Sequence, residues 1–351
     1  DCNSYYEHYC YHGKINTMDG SAPTAKYVVH GGPRSLFTRK LTAALDFYGA
    51  SYDIEPRGPS ADDSLQMRAN THQIPLIHTP EDWVLADTTP ILRLLDGRFP
   101  ARRLFPAGPL GMLVSIVEEV LDEWVARVMV HYRWHNPENA LYVLSQGAGR
   151  QLTVEELKEH PMYHWGPRAC RATGTEYPAQ QQAAEREYLG MLDALETQLS
   201  STRYALGNRP SAVDSIILGG LRAHTNADPI PDLSDYTRVL EWATECENGW
   251  DGKGELALFP HSTPFAQHML ALTRGEYIRF VRANAQSLAE GRKIFQIETY
   301  GEKTTYLARE YPERSRGILR THAYDPLSEQ ERILVLAWLK EQGLLDILIE
   351  H

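Results

Sequence analysis

The chain has 351 residues, 42% of them hydrophobic and 23% charged, a balance that supports a folded globular protein and argues against extended disorder. With 46 Asp and Glu against 35 Lys and Arg its formal net charge is -11, which repels phosphate backbones, and no long basic run offsets it, so nucleic acid is not an expected partner. No apolar stretch is long enough to span a bilayer, so no membrane is expected as a partner, and the length suits two domains of ordinary size.

The opening DCNSYYEHYCYHGKIN has neither the basic head nor the apolar core of a secretory signal, so the cytoplasm is the expected compartment. Met18 is the expected natural start, and residues 1–25 read as a disordered or added leader. The four cysteines, Cys2, Cys10, Cys170 and Cys246, form no CxxC pair, so neither a redox couple nor a four-cysteine zinc site is spelled out.

From Lys26 the chain becomes legible. Lys26–His30 is a short β-branched run followed by the breakers Gly31-Gly32-Pro33. Ser35 caps a helix over Leu36–Tyr48, with Phe37, Leu41, Ala44, Leu45 and Tyr48 at helical spacing and Gly49 as its stop. Ser51–Glu55 alternates as a second strand. Gln73–His78 and Trp83–Ala86 flank a four-residue turn and read as a hairpin. Asp87 or Thr88 then opens a helix with Pro90 in its first turn.

After Pro100 the pattern changes. Residues 101–109 have linker composition, and Leu110–Trp134 reads as one long helix, rich in Val, Leu and Met with acidic residues between. Asn136–Tyr177 reads as an irregular excursion with one short helix near Val154–His160. Further helices are expected over Gln180–Leu199, from Ser211 to about His224 with Asp214 completing its cap, and over Asp235–Glu247 and Pro264–Gln286. Ile294–Tyr306 alternates around Tyr300-Gly301-Glu302 as a hairpin. Ser328–Gln342 closes the chain as a helix with a Ser328/Glu331 capping box and Gly343 as its stop.

Two histidine pairs at i, i+4 spacing, His131/His135 and His160/His164, place imidazoles on one helix face. No Glu follows the first His, Pro161 interrupts the second pair and no third ligand is identifiable, so packing is preferred and no metal is expected. Nucleotide, dinucleotide and nucleophile-elbow motifs are missing from the sequence.

The order β-α-β, a variable stretch, β-β-α and then helices resembles the glutathione transferase superfamily, and four segments carry the resemblance. Ser35-Leu36-Phe37-Thr38-Arg39-Lys40-Leu41 looks like the first helix of bacterial Ser- and Cys-type members, with the active residue first. Gln73-Ile74-Pro75-Leu76-Ile77 is similar to the segment that carries a cis proline before strand three. Leu85-Ala86-Asp87-Thr88-Thr89-Pro90-Ile91 looks like the Glu/Asp-Ser pair opening helix three, with Thr for Ser. Leu206-Gly207-Asn208-Arg209-Pro210-Ser211-Ala212-Val213-Asp214 is close to the helical domain's Gly then Ser-x-x-Asp. The match covers Lys26–Pro106 and Ser201–Pro229 well, while Gly249–His351 lies beyond ordinary members.

The resemblance implies a thioredoxin-like domain over 26–100, a linker over 101–109, and an all-helical domain with a C-terminal extension over 110–351. It implies glutathione as cosubstrate, a small and largely apolar electrophile as its partner, room for a homodimer, and a second pocket between the domains lined in part by Leu110–Trp134. Ser35 would be catalytic, and Ser35, Gln73, Ile74, Pro75, Asp87 and Thr88 would bind glutathione.

The chemistry suits these residue types. A thiol has a pKa of about 8.5 and attacks only as thiolate, so its site must favour the anion. A helix start with a Ser35 hydroxyl can do that, the Ile74 backbone would dock the tripeptide as a strand-like edge, and Asp87 and Thr88 suit the ammonium and carboxylate of the γ-glutamyl group. Ser35 is equally well read as a plain helix cap, and Asp87 as a cap of its own helix. Ser35 stands where some classes carry Cys, which disfavours chemistry through a mixed disulfide. A noncatalytic glutathione-transferase-like binding or scaffold protein is the alternative to the enzyme.

Overall fold

The computed structural model describes residues 26–57 and 63–348, so the leader with Cys2, Cys10 and Met18 lies outside the described residues. A βαβ unit comes first, made of β1 (Tyr27–Gly31), α1 (Leu36–Tyr48) and β2 (Tyr52–Pro56), with the strands parallel as a helical crossover requires. After α2 (Asp63–Ala69), β3 (Leu76–His78) and β4 (Val84–Ala86) form a hairpin whose first strand runs antiparallel to β1, and α3 (Thr88–Arg98) follows. The sheet order is β2-β1-β3-β4, a thioredoxin-like arrangement. The Ile74–Pro75 bond ahead of β3 is cis, as expected.

Local signals set the bounds of α1. The Ser35 hydroxyl accepts the Thr38 N–H at 3.3 Å, and Gly49 at φ +68° ends the helix in the left-handed region. Leu41, Ala44 and Leu45 are fully buried between the sheet and the helices that follow.

The rest of the chain is helical apart from one hairpin. α4 (Pro109–Val120) and α5 (Arg127–His135) make up the expected long helix, joined through a π turn at Leu121–Val125. The segment read as irregular with one short helix has that helix as α7 (Val154–Glu159), flanked by two further helices, α6 (Pro137–Ala148) and α8 (Pro161–Thr173). Each has its own start signal, namely Pro137, the Thr153/Glu156 capping box, and His160 followed by Pro161. Ala140, Leu144, Leu152 and Leu157 give them a small core of their own. The polar, aromatic composition hid a period interrupted at every turn.

α9 (Pro178–Gln198) and α10 (Ala212–Gly220) come next, the second capped by Ser211, whose N–H and hydroxyl both donate to Asp214 at 2.8 and 3.0 Å. α10 crosses α1 closely, because a Cβ on Gly219 would stand 2.7 Å from the Leu36 carbonyl oxygen. α11 (Thr237–Glu245), α12 (Pro264–Leu272) and α13 (Ile278–Ala289) lead to the expected hairpin of β5 (Ile294–Thr299) and β6 (Glu302–Leu307). Tyr300 and Gly301, at φ +47° and +89°, turn that hairpin as paired left-handed residues do.

α14 (Glu310–Leu319) has no counterpart in the sequence reading. Its Pro312 looks like a breaker, yet it falls in the first turn, where no intrahelical N–H is needed. α15 (Glu329–Gln342) has the anticipated Ser328/Glu331 box and Gly343 stop.

The apolar core does not stop where the extension begins. The Trp124 ring lies 5.0 Å from Phe280 and 6.1 Å from Tyr306, and Phe265, Met269 and Tyr277 are fully buried in the same cluster. A fragment of residues 249–351 would expose that face. Such a fragment is therefore expected to show no cooperative transition in thermal or urea unfolding, and a cooperative melt of the isolated fragment would contradict the shared core.

Candidate functional site

Strand register brings the singled-out segments to one end of the sheet. His30 pairs with Leu76 and Leu76 with Ala86, so the three stand side by side across β1, β3 and β4. Neighbouring strands lie about 4.8 Å apart. The chain just beyond that row is Gly31–Ser35, Ile74–Pro75 and Asp87–Thr88. Tyr27, which would serve a tyrosine-type activation, lies at the opposite end of β1, where its hydroxyl accepts from Arg98 at 3.0 Å.

Several polar groups at this end have no internal partner. The Ile74 N–H and C=O make no hydrogen bond with the described residues, whereas the neighbouring Gln73 carbonyl accepts from Arg57 at 2.8 Å. The Gln73 side chain is exposed, Ile74 is half-buried and Pro75 is buried. Thr88 is only 4% exposed, and its hydroxyl makes no hydrogen bond with the described residues. Asp87 occupies the cap position of α3 but its carboxylate bonds none of that helix's amides, which removes the reading of Asp87 as a cap. Its backbone, at φ +74° and ψ +115°, is strained for a residue with a Cβ, at a cost of about 1–3 kcal/mol.

Ser35 is a cap, and capping uses only a lone pair. Its hydroxyl accepts from Thr38, which leaves its own proton free to donate. The loop before it is held from the helical side. Buried Arg133 donates to the Arg34 carbonyl at 2.7 Å while its Nε bonds Asp228 at 2.9 Å. Arg39 donates back to the Pro33 carbonyl at 3.1 Å.

Beneath these loops lies a buried ionic cluster whose residues the sequence reading assigned no role. Lys40 is fully buried and donates to Glu118 and Asp122, both at 2.6 Å, and to the Thr89 hydroxyl at 3.0 Å. Burial alone would lower the Lys40 pKa, but the Asp122 and Glu118 carboxylates outweigh it and hold the ammonium charged well above the ordinary range. One position along from Glu118, Glu119 turns to the extension and accepts from Tyr277 and Ser315, both at 2.5 Å. Burial first, then the neighbouring Glu118 and Asp122 charges, push Glu119 up despite those bonds, to about 8. Burial likewise raises Asp122, and it raises Glu123 with the help of Glu119 and Asp122. The signal was present as Glu118-Glu119-Val120-Leu121-Asp122-Glu123, two i, i+4 carboxylate pairs in an otherwise apolar helix.

The extension also reaches the sheet end. Arg314 on α14 places Nη2 3.6 Å from Asp87 Oδ2, and its guanidinium lies 5.9 Å from the Tyr311 ring centre. Burial and then the Asp87, Glu123 and Asp122 charges raise the Tyr311 phenol pKa. Burial lowers Arg309, opposed by Glu123. The contact between α4 and α14 is therefore polar.

The histidines of the first pair are bonded within the chain. His131 and His135 bond each other through Nδ1 at 2.8 Å, and His131 Nε2 bonds Glu185 at 2.7 Å. His160 caps α8, accepting from Met162 at 3.2 Å. Among the described residues no group of three His, Cys, Asp or Glu could hold a metal ion, and no helix is long and apolar enough to cross a membrane. A surface cavity of about 410 Å³ on α13 lies away from the sheet end. Its arginines are engaged: Arg274 by the Gln342 carbonyl, Arg279 by the Glu298 carbonyl and Arg282 by Asp346.

No protein-family model matches the chain, and no curated protein matches it. Among solved structures, it is similar to a glutathione S-transferase from Rhodospirillum rubrum F11 at 14% identity, over 69% of this chain and 99% of that one, with a TM-score of 0.45. It is similar to a beta-etherase from Sphingobium sp. strain SYK-6 at 18% identity, over 65% and 96%, with a TM-score of 0.44. A third likeness is a glutathione S-transferase from Methylobacterium radiotolerans in complex with glutathione sulfonate, at 16% identity over 63% and 90%, with a TM-score of 0.43.

The raised carboxylates have a consequence for stability. A carboxyl whose pKa is higher folded than unfolded stabilises the fold below its unfolded pKa, and that contribution is lost as pH rises through the folded value. Glu119, raised from the usual 4.5 to about 8, should therefore lower the melting temperature steadily between pH 5 and 8. Glu119→Gln, which keeps an acceptor for Tyr277 and cannot ionise, is expected to flatten that slope. An equally steep decline in the variant would place the pH dependence elsewhere.

Proposed function

We propose that the chain binds glutathione at this end of the sheet and activates its thiol for attack on a small electrophile. The observation that carries the proposal is the convergence of an open Ile74 backbone, an unpartnered Thr88 hydroxyl, a strained Asp87 outside its helix cap, and a Ser35 hydroxyl with its proton free. Each matches one part of the tripeptide. The cysteinyl backbone would pair with Ile74, with Gln73 and Pro75 framing that edge. The γ-glutamyl carboxylate would meet Thr88 and the α3 amides, and its ammonium would meet Asp87.

The thiol would sit at the start of α1. There the Ser35 O–H donates to sulfur, and the helix start adds its positive partial charge, so the proton leaves to water below the free thiol's pKa of about 8.5. The thiolate then forms the new C–S bond as a π bond of the electrophile opens and takes a proton from water, or as a leaving group departs with its electron pair. The Tyr311 phenol and the carboxyl groups on the adjoining wall suit an electrophile with polar substituents better than a purely apolar one.

Ser35 tests the assignment. Ser35→Ala is expected to raise the pH midpoint of thiol addition and slow it at neutral pH by about ten- to a hundred-fold, the worth of one charge-assisted hydrogen bond, with little change in glutathione affinity. Losing the cap costs about 1 kcal/mol of stability by itself, so Ser35→Gly, which keeps most of the capping geometry, separates the two roles. Addition by Ser35→Gly as fast as by the parent, with an unchanged pH profile, would leave Ser35 a cap alone. Glutathione binding without turnover in the parent would favour a binding protein.

A further inference from the structure

We infer that Arg314, from the C-terminal extension, is a specificity-determining residue that takes the α-carboxylate of the bound γ-glutamyl group. The inference rests on the reading of Asp87 and Thr88 given above. An α-amino acid end presents an ammonium and a carboxylate on one carbon, so a site that grips it needs opposite charges a few ångströms apart. Asp87 supplies the anion. On that reading the carboxylate otherwise meets the Thr88 hydroxyl and the α3 amides, none of which carries a full positive charge.

Arg314 stands where the missing cation belongs. Its Nη2 is 3.6 Å from Asp87 Oδ2, near enough to be held there by charge and too far to be a hydrogen bond. With its side chain 63% exposed, its donors are free for an incoming anion. A guanidinium offers a planar fork of N–H groups that matches a carboxylate in a bidentate pair. Two contacts fix its base. It leans on the Tyr311 ring, and one residue further on Ser315 bonds buried Glu119 at 2.5 Å, which anchors α14 against α4. The Thr88 hydroxyl, next in the chain after Asp87, bonds none of the described residues and is open to the same ligand group.

The geometry allows a competing role, with Arg314 as a plug that satisfies Asp87 until the ligand ammonium displaces it. The two roles predict opposite signs. Binding can be measured by calorimetry with S-methylglutathione, which needs no thiol activation, and with its analogue in which γ-aminobutyrate replaces the γ-glutamyl residue and so lacks only the α-carboxylate. Arg314→Ala is expected to weaken S-methylglutathione by about tenfold and to change the decarboxylated analogue by less than about twofold, with Arg314→Lys recovering part of the loss. Unchanged or tighter binding of S-methylglutathione by Arg314→Ala overturns the inference and leaves the site reading standing. An equal loss for both ligands also overturns it, since a merely structural effect would not distinguish them. Failure of the parent protein to bind S-methylglutathione at all would overturn both this inference and the proposed function.

Discussion

The buried ammonium of Lys40 is the constraint on which the site depends. Lys40 lies on α1, five residues after the cap Ser35, and it bonds Thr89, which follows Asp87 and Thr88 at the start of α3. Its other partners, Glu118 and Asp122, belong to the helical part. One charge thus fixes the separation of the two helix starts and docks both onto α4. Removing one partner of such a buried pair costs roughly 3–5 kcal/mol, because the remaining charge is left without compensation. An apolar replacement of the whole set would hold the parts together as well, but it would not set the angle between the helix starts through hydrogen bonds of fixed length.

The same stretch of α4 faces two ways. Residues four apart on a helix share a face, so Glu118 and Asp122 point to Lys40 while Glu119 and Glu123 point to the extension. That division explains why residues 249–351 are held so firmly. Tyr277 and Ser315 both donate to Glu119, and Trp124 continues the contact as apolar packing against Phe280 and Tyr306. It also accounts for the position of α14. With Ser315 tied to Glu119, Arg314 just before it and Tyr311 one turn earlier are carried to the Asp87 end of the sheet.

Elements with local signals were legible in the sequence, and those formed by distant contacts were not. α1 could be placed to the residue because Ser35 and Gly49 mark its ends chemically, and α15 because Ser328, Glu331 and Gly343 do the same. The hairpin of β5 and β6 was readable from Tyr300-Gly301 despite weak alternation. α6 and α8 were missed because their starts, Pro137 and Pro161, look like breaks when the following period is aromatic and polar. α14 was missed for the same reason at Pro312. At the site, Ser35, Ile74, Pro75, Asp87 and Thr88 could be singled out from short motifs. Lys40 could not, since a lysine in an amphipathic helix looks solvated until the carboxylates 78 and 82 residues away are brought to it. Arg314 carried no motif at all.

A cluster of four carboxylates beside a site proposed to stabilise a sulfur anion looks self-defeating, and the pKa shifts remove the contradiction. Burial disfavours the charged form of the carboxyls facing the extension: Glu119 is raised to about 8 and Glu123 is also pushed well up. On the other face, Lys40 remains an ammonium and is hydrogen-bonded directly to Glu118 and Asp122. The field reaching the start of α1 is then set by the nearest dipoles, the α1 amides and the Ser35 hydroxyl, and both favour an anion. A chain with net charge -11 can in this way hold a locally anion-favouring end, because its acidic groups are either exposed to water, where they are screened within about 10 Å, or buried against a cation or with a raised pKa.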